Sequence, residues 1–224
     1  GHLNAASEVA DIPMHTKSVG KVNPPWRLVV FDCDGTLVDS QHTIVASMTA
    51  AWHVHGLYGP APDAIRRVIG LPLEVAIARL APTQRSGQVQ SLGDAYRKAF
   101  LRLQTQRDYH EPLYPGVHKV LCWLEQAGIL MGVATGKGRR GLVATLDRHG
   151  LTSRFVTLQT SDRVRGKPDP DMLYQAMDVA GISPSHTVMV GDTVYDMEMA
   201  ANANVDAVGV SWGYHSSCEL SAVG

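Results

Sequence analysis

Two aspartates separated by a single residue follow the first strongly apolar run of the chain. The run is LVVF at positions 28–31, and Asp32 and Asp34 come directly after it. Carboxylates this close repel each other, and the repulsion costs stability unless a cation lies nearby. The pair therefore predicts a site in which a positive side chain or a metal ion neutralises both charges.

Polar side chains also follow three later apolar runs, where the predicted strands end. Thr135 ends ILMGVAT, Lys167 follows FVTLQT after a short loop, and Asp192 follows TVMVG, with Asp196 soon after it. The carboxyl ends of parallel strands meet at one edge of a sheet, so these side chains are expected to converge on one crevice. Carboxylates, water and substrate phosphate are the ligands that Mg²⁺ prefers, and the set therefore predicts a magnesium site.

The chemistry that suits this set of side chains is phosphoryl transfer. A phosphoryl group in transfer spreads negative charge over its oxygens, and positioned cations and donors stabilise that charge. Asp32 would act as the nucleophile and form an aspartyl-phosphate. Asp34 would protonate the leaving alkoxide and then deprotonate the attacking water. Mg²⁺ and Lys167 would neutralise the two aspartates.

Strand-like and helical patterns alternate from residue 116 onward. Helices are predicted in GVHKVLCWLEQAG, RRGLVATLDRHG, KPDPDMLYQAMDVAG and TVYDMEMAANA, and strands in ILMGVAT, FVTLQT, TVMVGD and VDAVGV. In the third helix, Asp169 is the predicted N-cap and Pro170 the first helical residue. This alternation predicts an α/β fold, with a doubly wound, mostly parallel sheet and helices on both faces.

Residues 40–112 interrupt the alternation with helical patterns alone. The patterns are SQHTIVASMTAAWHVHG, LPLEVAIARL and QVQSLGDAYRKAFLRLQTQ. They predict a small all-helical cap, inserted after the first strand and placed over the sheet edge where ligands bind in open α/β folds. The catalytic core would then comprise residues 26–39 and 113–224. Residues 1–25 are predicted to be a flexible extension that begins with a tag remnant at positions 1–2.

The composition is that of an ordinary soluble globular protein. Hydrophobic residues make up 45% of the chain and charged residues 18%. The formal net charge of −1 gives no basic surface for nucleic acid, and no apolar run approaches the ~20 residues of a membrane helix. Three widely spaced cysteines indicate a reducing, cytoplasmic location rather than a disulfide framework. A monomer and a homodimer are both compatible with the sequence.

Four motifs occur in a characteristic order: FDCDGTLVDS, ATGK, GKPDP and GDTVYD. This series resembles the haloacid dehalogenase-like hydrolase superfamily, and most closely its phosphoglycolate phosphatase-like branch with a small helical cap. The resemblance implies a Mg²⁺-dependent phosphatase that acts on a small phosphorylated metabolite. It also implies that Asp32 is the nucleophile and Asp34 the general acid/base. Thr135 would hold the phosphoryl oxygens, and Lys167 would bridge nucleophile and phosphate.

The resemblance further implies a ligand set for Mg²⁺. Asp32, Asp192 and the main-chain carbonyl of Asp34 would bind the ion, with Asp196 as a further ligand or as a support for the others. One position departs from the family pattern, because Gly136 stands where many relatives have an asparagine. Gly136 and Arg66 are the remaining predicted substrate-binding residues, Arg66 through an anionic part of the leaving group.

Three other functions use similar residues. A sugar-phosphate mutase resembling β-phosphoglucomutase would return the phosphoryl group to the sugar, and a pyrophosphatase would differ only in its substrate. A phospho-aspartate signalling switch would also place acids, a threonine and a lysine around Mg²⁺. Asp34, which is poised to catalyse hydrolysis, and the predicted cap both argue against the switch.

Overall fold

Five short strands pair side by side in one parallel sheet. The computed structural model describes residues 25–83 and 86–223; all but the last residue of the predicted N-terminal extension lies outside them. The strands are β1 (Leu28–Phe31), β2 (Leu130–Thr135), β3 (Thr157–Thr160), β4 (Thr187–Gly191) and β5 (Asp206–Gly209). Their spatial order is β3-β2-β1-β4-β5, and each neighbouring pair is parallel. The predicted α/β fold with a parallel sheet is confirmed.

Helices precede, follow and connect these strands. They are α1 (Gln41–Val54), α2 (Pro62–Val68), α3 (Leu73–Leu80), α4 (Ser86–Gln104), α5 (Val117–Gln126), α6 (Arg139–Arg148), α7 (Asp171–Ala180), α8 (Val194–Ala203) and α9 (Ser217–Ser221). Within the described residues, every helix is too short or too polar to traverse a lipid bilayer.

The central strand β1 contributes to a hydrophobic core on each face of the sheet. Val29 and Phe31 pack with residues of β2, α5 and α6, whereas Leu28 and Val30 pack with residues of α7 and α8. Successive side chains of a strand point to opposite faces, and both faces of this strand are covered by helices. This two-sided burial explains why the sequence of β1 is apolar without interruption.

Helices α1 to α4 form a helical block, residues 41–104, with a hydrophobic cluster of its own. Ile44 and Trp52 of α1 pack there with Ile65 of α2, Ile77 of α3 and Leu92 of α4. The sequence reading identified three of these helices and missed α2, which has only seven residues and begins at Pro62. Such a short helix does not repeat its apolar positions often enough to show a clear helical period.

The segments that lead into and out of the helical block run side by side. The N–H of Asp39 donates to the carbonyl of Pro112 at 2.8 Å, and the N–H of Tyr114 donates to that of Leu37 at 3.0 Å. Val38 and Leu113 form an antiparallel bridge between them. The two chain segments that connect the block to the sheet therefore lie next to each other.

The beginning of α7 differs from its prediction by one residue. The helix starts at Asp171 and Pro170 is its N-cap, so the predicted N-cap at Asp169 lies one position too early. The Asp169 carboxylate nevertheless accepts a hydrogen bond from the N–H of Asp171 at 3.0 Å. It therefore satisfies one of the free donors at the helix start, as the choice of an aspartate suggested.

A buried histidine joins the helical block to the sheet. Its Nδ1 accepts a hydrogen bond from the N–H of Val194 at 3.1 Å, and its Nε2 lies 3.1 Å from the carbonyl of Arg67 at the end of α2. This residue, His215, is 6% exposed. Because Nδ1 accepts a hydrogen bond, the ring proton is on Nε2, which donates a hydrogen bond to the carbonyl of Arg67. The ring is therefore neutral. The Tyr195 hydroxyl donates to the same carbonyl at 2.7 Å.

The neutral His215 ring predicts a pH dependence of stability. Burial lowers the pKa of His215 below its ordinary value of about 6.5. The unfolded chain then binds a proton at a higher pH than the folded protein does, so this stabilisation is complete above pH 6.5 and is lost as pH falls below it. We expect the free energy of unfolding, measured with urea, to fall from pH 7 to pH 5, and the fall to be smaller in His215→Phe. The exposed His53 provides the control substitution; an equal fall in His215→Phe and in the parent would contradict the assignment.

Candidate active site

A lysine ammonium lies between two buried carboxylates at the carboxyl edge of the sheet. Lys167 Nζ is 2.9 Å from Asp32 Oδ1 and 2.6 Å from Asp196 Oδ1. The three residues are at most 2% exposed. Burial acts to lower the pKa of Lys167, but the charges of Asp196 and Asp32 outweigh it and raise the pKa above its ordinary value. The two carboxylates therefore favour the charged form of the lysine.

Asp32 keeps one oxygen free of the surrounding hydrogen bonds. The N–H of Cys33 donates to Asp32 Oδ1 at 2.7 Å, and the same oxygen faces Lys167. Oδ2 is buried and has no hydrogen-bond partner among the described residues. Burial, followed by the charge of Asp196, raises the pKa of Asp32 well above its ordinary value, and Lys167 opposes this. The free oxygen can attack an electrophile or bind a cation.

Asp192 leaves β4 beside Asp32, because β1 and β4 are neighbours in the sheet. The Thr36 hydroxyl donates to its Oδ1 at 3.1 Å, and the N–H of Tyr214 donates to its Oδ2 at 2.9 Å. Burial, followed by the charge of Asp196, raises the pKa of Asp192 to about 7. The protein thus supplies less positive charge around this carboxylate than its ionised form requires.

The carboxylates fit a divalent cation. Oxygens of Asp32, Asp192 and Asp196 all lie within 4.8 Å of one another. Together with Lys167 they leave two negative charges uncompensated, and Asp32 Oδ2 is buried without a partner. An all-oxygen, anionic set of this kind is typical of Mg²⁺ sites. These three carboxylates could therefore hold a divalent cation.

The Asp196 carboxylate contacts both Thr193 and Lys167. Oδ2 accepts from the N–H and the hydroxyl of Thr193 at 3.1 and 3.0 Å, as part of the capping box of α8. Oδ1 faces Lys167. These contacts favour the supporting role among the two predicted for this residue, because the carboxylate fixes Lys167 to the start of α8.

The Asp34 side chain lies among a different group of partners. Its Oδ1 accepts a hydrogen bond from the Ser40 hydroxyl at 2.5 Å and from Lys137 Nζ at 2.9 Å. Asp34 is 7% exposed and lies with Asp32 in the lining of one cavity. Its side chain is not part of the acidic group around the metal position. The side chains of Asp32 and Asp34 thus contact different lysines, Lys167 and Lys137.

Sequence reasoning did not identify Lys137. Burial acts to lower its pKa, but the negative charge of Asp34, together with smaller contributions, raises it above its ordinary value. Lys137 Nζ also lies 5.1 Å from the centre of the Phe100 ring in α4. The sequence did contain a signal for Lys137, because it lies in ATGK shortly after the end of β2. A cation at that end of the sheet is expected to lie near Asp32 and Asp34.

Thr135 and Gly136 lie at the floor of the cavity, which has a volume of about 620 Å³. Thr135 is 1% exposed, and its hydroxyl oxygen accepts a hydrogen bond from the N–H of Lys137 at 3.1 Å. Residues of the helical block form the opposite wall. Lys167, Asp192 and Asp196 lie outside this lining and contact the site through Asp32 and one another.

The helical block approaches the backbone of Gly136 very closely. A Cβ at this position would lie 2.5 Å from the carbonyl oxygen of Gly70 and 2.6 Å from that of Leu71. Atoms of a side chain cannot approach a rigid backbone to this distance. An asparagine at this position would therefore not fit this arrangement, which gives a physical reason for the glycine.

Arg66 does not reach the cavity. Its Nε donates to the Gln41 side chain at 3.0 Å, and one of its terminal nitrogens lies 2.5 Å from Asp63 Oδ1. It is not among the residues that line the cavity. Local partners within the helical block therefore hold the predicted substrate-binding arginine.

Substitution of Gly136 tests the close approach. We expect Gly136→Ala to lower the free energy of unfolding by about 1–3 kcal/mol, because the new methyl group overlaps the carbonyls of Gly70 and Leu71. Gly141→Ala is the matched control, since its Cβ would meet nothing closer than 3.8 Å and the residue lies in α6. Urea denaturation of both variants is the measurement. Equal stability of Gly136→Ala and the parent would show that the approach is not required.

A double-mutant cycle tests the pair of Lys137 and Asp34. Their side chains are 11% and 9% exposed, so removal of either one leaves a poorly solvated charge. Lys137→Met and Asp34→Asn, alone and together, should give a coupling free energy of about 1–3 kcal/mol in urea denaturation. The exposed pair of Arg165 and Asp169, 3.7 Å apart, is the control and should show coupling close to zero. Additive effects at Lys137 and Asp34 would refute the interaction.

Curated relatives are similar to this chain over most of its length. A probable phosphatase, IndB, of Dickeya dadantii is 36% identical over 87% of this chain and 85% of its own length. A phosphoglycolate phosphatase of Agrobacterium fabrum is 30% identical over 85% of this chain and 83% of its own length.

Solved structures share the fold. A haloacid dehalogenase-like hydrolase from Bacteroides fragilis superposes with a TM-score of 0.81 at 29% identity, over 88% of this chain and 93% of the other. A structure described as a predicted phosphatase from Clostridium acetobutylicum gives a TM-score of 0.79 at 25% identity, over 89% of this chain and 91% of the other. The family model described as haloacid dehalogenase-like hydrolase matches residues 29–210. With this match and the arrangement of acids around Lys167, the chain belongs to the haloacid dehalogenase-like hydrolase family.

Proposed function

We propose that this protein is a Mg²⁺-dependent phosphatase that hydrolyses a small phosphomonoester through an aspartyl-phosphate. The observation that carries the proposal is the environment of Asp32. One carboxylate oxygen faces Lys167 and the N–H of Cys33, while the other is buried without a partner. An oriented carboxylate with a free oxygen beside a fixed cation is suited to nucleophilic attack on phosphorus.

Asp32 and Lys167 act together in the first step. Asp32 Oδ2 attacks phosphorus, the bond to the leaving oxygen breaks, and the phosphoryl group is transferred to the carboxylate. Lys167 and Thr135 stabilise the negative charge on the transferred oxygens by charge and by hydrogen bonding. Both side chains are nearly fully buried, so little reorientation accompanies the reaction.

Asp34 moves the protons in both steps. It donates a proton to the leaving alkoxide and then takes one from the water that attacks the phosphoenzyme. Ser40 and Lys137 hold the same oxygen, Oδ1, which fixes the orientation of the carboxyl group. The other oxygen, Oδ2, is then left to exchange the proton.

The metal would be held by Asp32, Asp192 and the main-chain carbonyl of Asp34, with Asp196 in support. When bound, Mg²⁺ would supply positive charge next to the transferred phosphoryl oxygens. The hydroxyl of Thr36 and the N–H of Tyr214 orient the Asp192 carboxylate for that role.

The helical block is proposed to act as a cap of residues 40–112 on a core of residues 26–39 and 113–224. The close contact of Gly70 and Leu71 with Gly136 supports a lid that excludes water during the reaction. Relatives named phosphoglycolate phosphatase support a small phosphorylated metabolite as substrate. Three free cysteines support a reducing, cytoplasmic location. A monomer or a homodimer stays a prediction.

The test is release of inorganic phosphate from a panel of phosphomonoesters and pyrophosphate, with Mg²⁺ or with a chelator. We expect Mg²⁺-dependent turnover that Asp32→Asn lowers by at least ~10³-fold and Asp34→Asn by about 10²–10⁴-fold. Asp178→Asn, a conservative change on the exposed side of α7, should have no effect.

Other outcomes would assign the alternatives. Isomerised sugar phosphate without net phosphate release would indicate a mutase. A phosphorylated Asp32 that persists for minutes would indicate a signalling switch. Turnover that survives Asp32→Asn would contradict the proposed nucleophile.

A further inference from the structure

We infer that the cavity above Asp32 and Asp34 binds an apolar leaving group, so that the substrate is the monophosphate ester of an aliphatic or aromatic alcohol. The inference rests on the proposed function, because it needs the phosphoryl group to lie against Asp32. It goes further by naming the chemistry of the rest of the substrate.

Apolar side chains from all four helices of the helical block line the cavity. They include Ile44 and Met48 of α1, Ile65 of α2, Ala76 of α3, and Phe100 and Leu101 of α4. Asp32, Asp34 and Thr135 line the same cavity from the core. A ligand that places its phosphate at Asp32 therefore has its organic part against these apolar walls.

The size of the cavity also indicates more than a two-carbon substrate. Its volume of about 620 Å³ lies in the range of about 300–1,000 Å³ that is typical of sites for drug-sized ligands. A phosphate with a two-carbon acid would leave most of this volume to water. A chain or ring of six or more carbons would fill it and displace water from apolar walls.

The charges of the lining argue against a carboxylate in the leaving group. Lys137 is bound to Asp34, and Arg97 is paired with Glu74 and Asp94. A carboxylate among Ile44, Met48 and Phe100 would lose its hydration without gaining a free cation, which is costly. The remaining cation of the lining, Arg140, is exposed in the first turn of α6.

A series of alkyl phosphates tests the inference. Ethyl, butyl and hexyl phosphate have leaving alkoxides of similar basicity, so differences in kcat/KM report binding of the alkyl chain in the transition state. We expect kcat/KM to rise about fourfold for each added methylene, since a buried methylene contributes about 0.8 kcal/mol. Phosphoglycolate should be a poorer substrate than hexyl phosphate by at least tenfold.

A substitution in the cavity wall tests whether the preference for longer alkyl chains arises in this cavity. Leu101 lines the cavity and is 46% exposed, so the fold should tolerate Leu101→Glu. We expect this variant to lose at least tenfold of the preference for hexyl over ethyl phosphate. Val75→Glu is the matched control, since Val75 is 43% exposed, lies in α3 and does not line the cavity. It should keep the preference of the parent.

Two results would overturn the inference, and they are distinguishable. Phosphoglycolate as the best substrate, with ethyl and hexyl phosphate turned over equally, would refute the apolar leaving group while leaving the phosphatase intact. A loss of phosphoglycolate turnover in Arg140→Gln would then assign the carboxylate to that arginine. No Mg²⁺-dependent phosphate release from any ester would refute the proposed function itself, and the inference with it.

Discussion

The ammonium of Lys167 between Asp32 and Asp196 is the interaction on which the rest of the site depends. Buried carboxylates repel one another, and a buried charge is tolerated only when it is paired. The sheet makes this pairing possible, because β1 and β4 are adjacent and the loop after β3 brings the lysine to the same edge. The capping box of α8 then holds Asp196 in place. One cation therefore joins three separate segments of the chain.

The sequence predicted the parts of this arrangement that follow from local pattern. The apolar run of β1 and the position of Asp32 at its end required only the rule that carboxyl ends of parallel strands converge. The partners of Asp34 were harder to predict from the sequence. Lys137 lies about a hundred residues away along the chain, and a cation on a loop is usually exposed. The contact of the Tyr214 N–H with Asp192 was not predicted either, because a main-chain donor carries no signal in the residue type. Periodicity reports that a residue is buried, but not which distant residue it contacts.

Residues of both the helical block and the core around the sheet form the site. Ser40, at the entrance to the block, and Lys137, in the loop after β2, hold the same oxygen of Asp34. Gly136 and Gly166 allow the segment from Gly70 to Pro72 to approach the core without side chains between them. The orientation of the proposed acid/base therefore depends on both parts of the fold.

The antiparallel contact between Val38 and Leu113 also has a consequence for how such a protein can change over evolutionary time. The two ends of the helical block are held next to each other by hydrogen bonds that belong to the core. Closing a longer excursion between fixed ends costs only about 0.6 kcal/mol for each doubling of its length. The excursion could therefore be enlarged, shortened or replaced with little penalty to the sheet, and one set of buried acids could be presented to very different molecules.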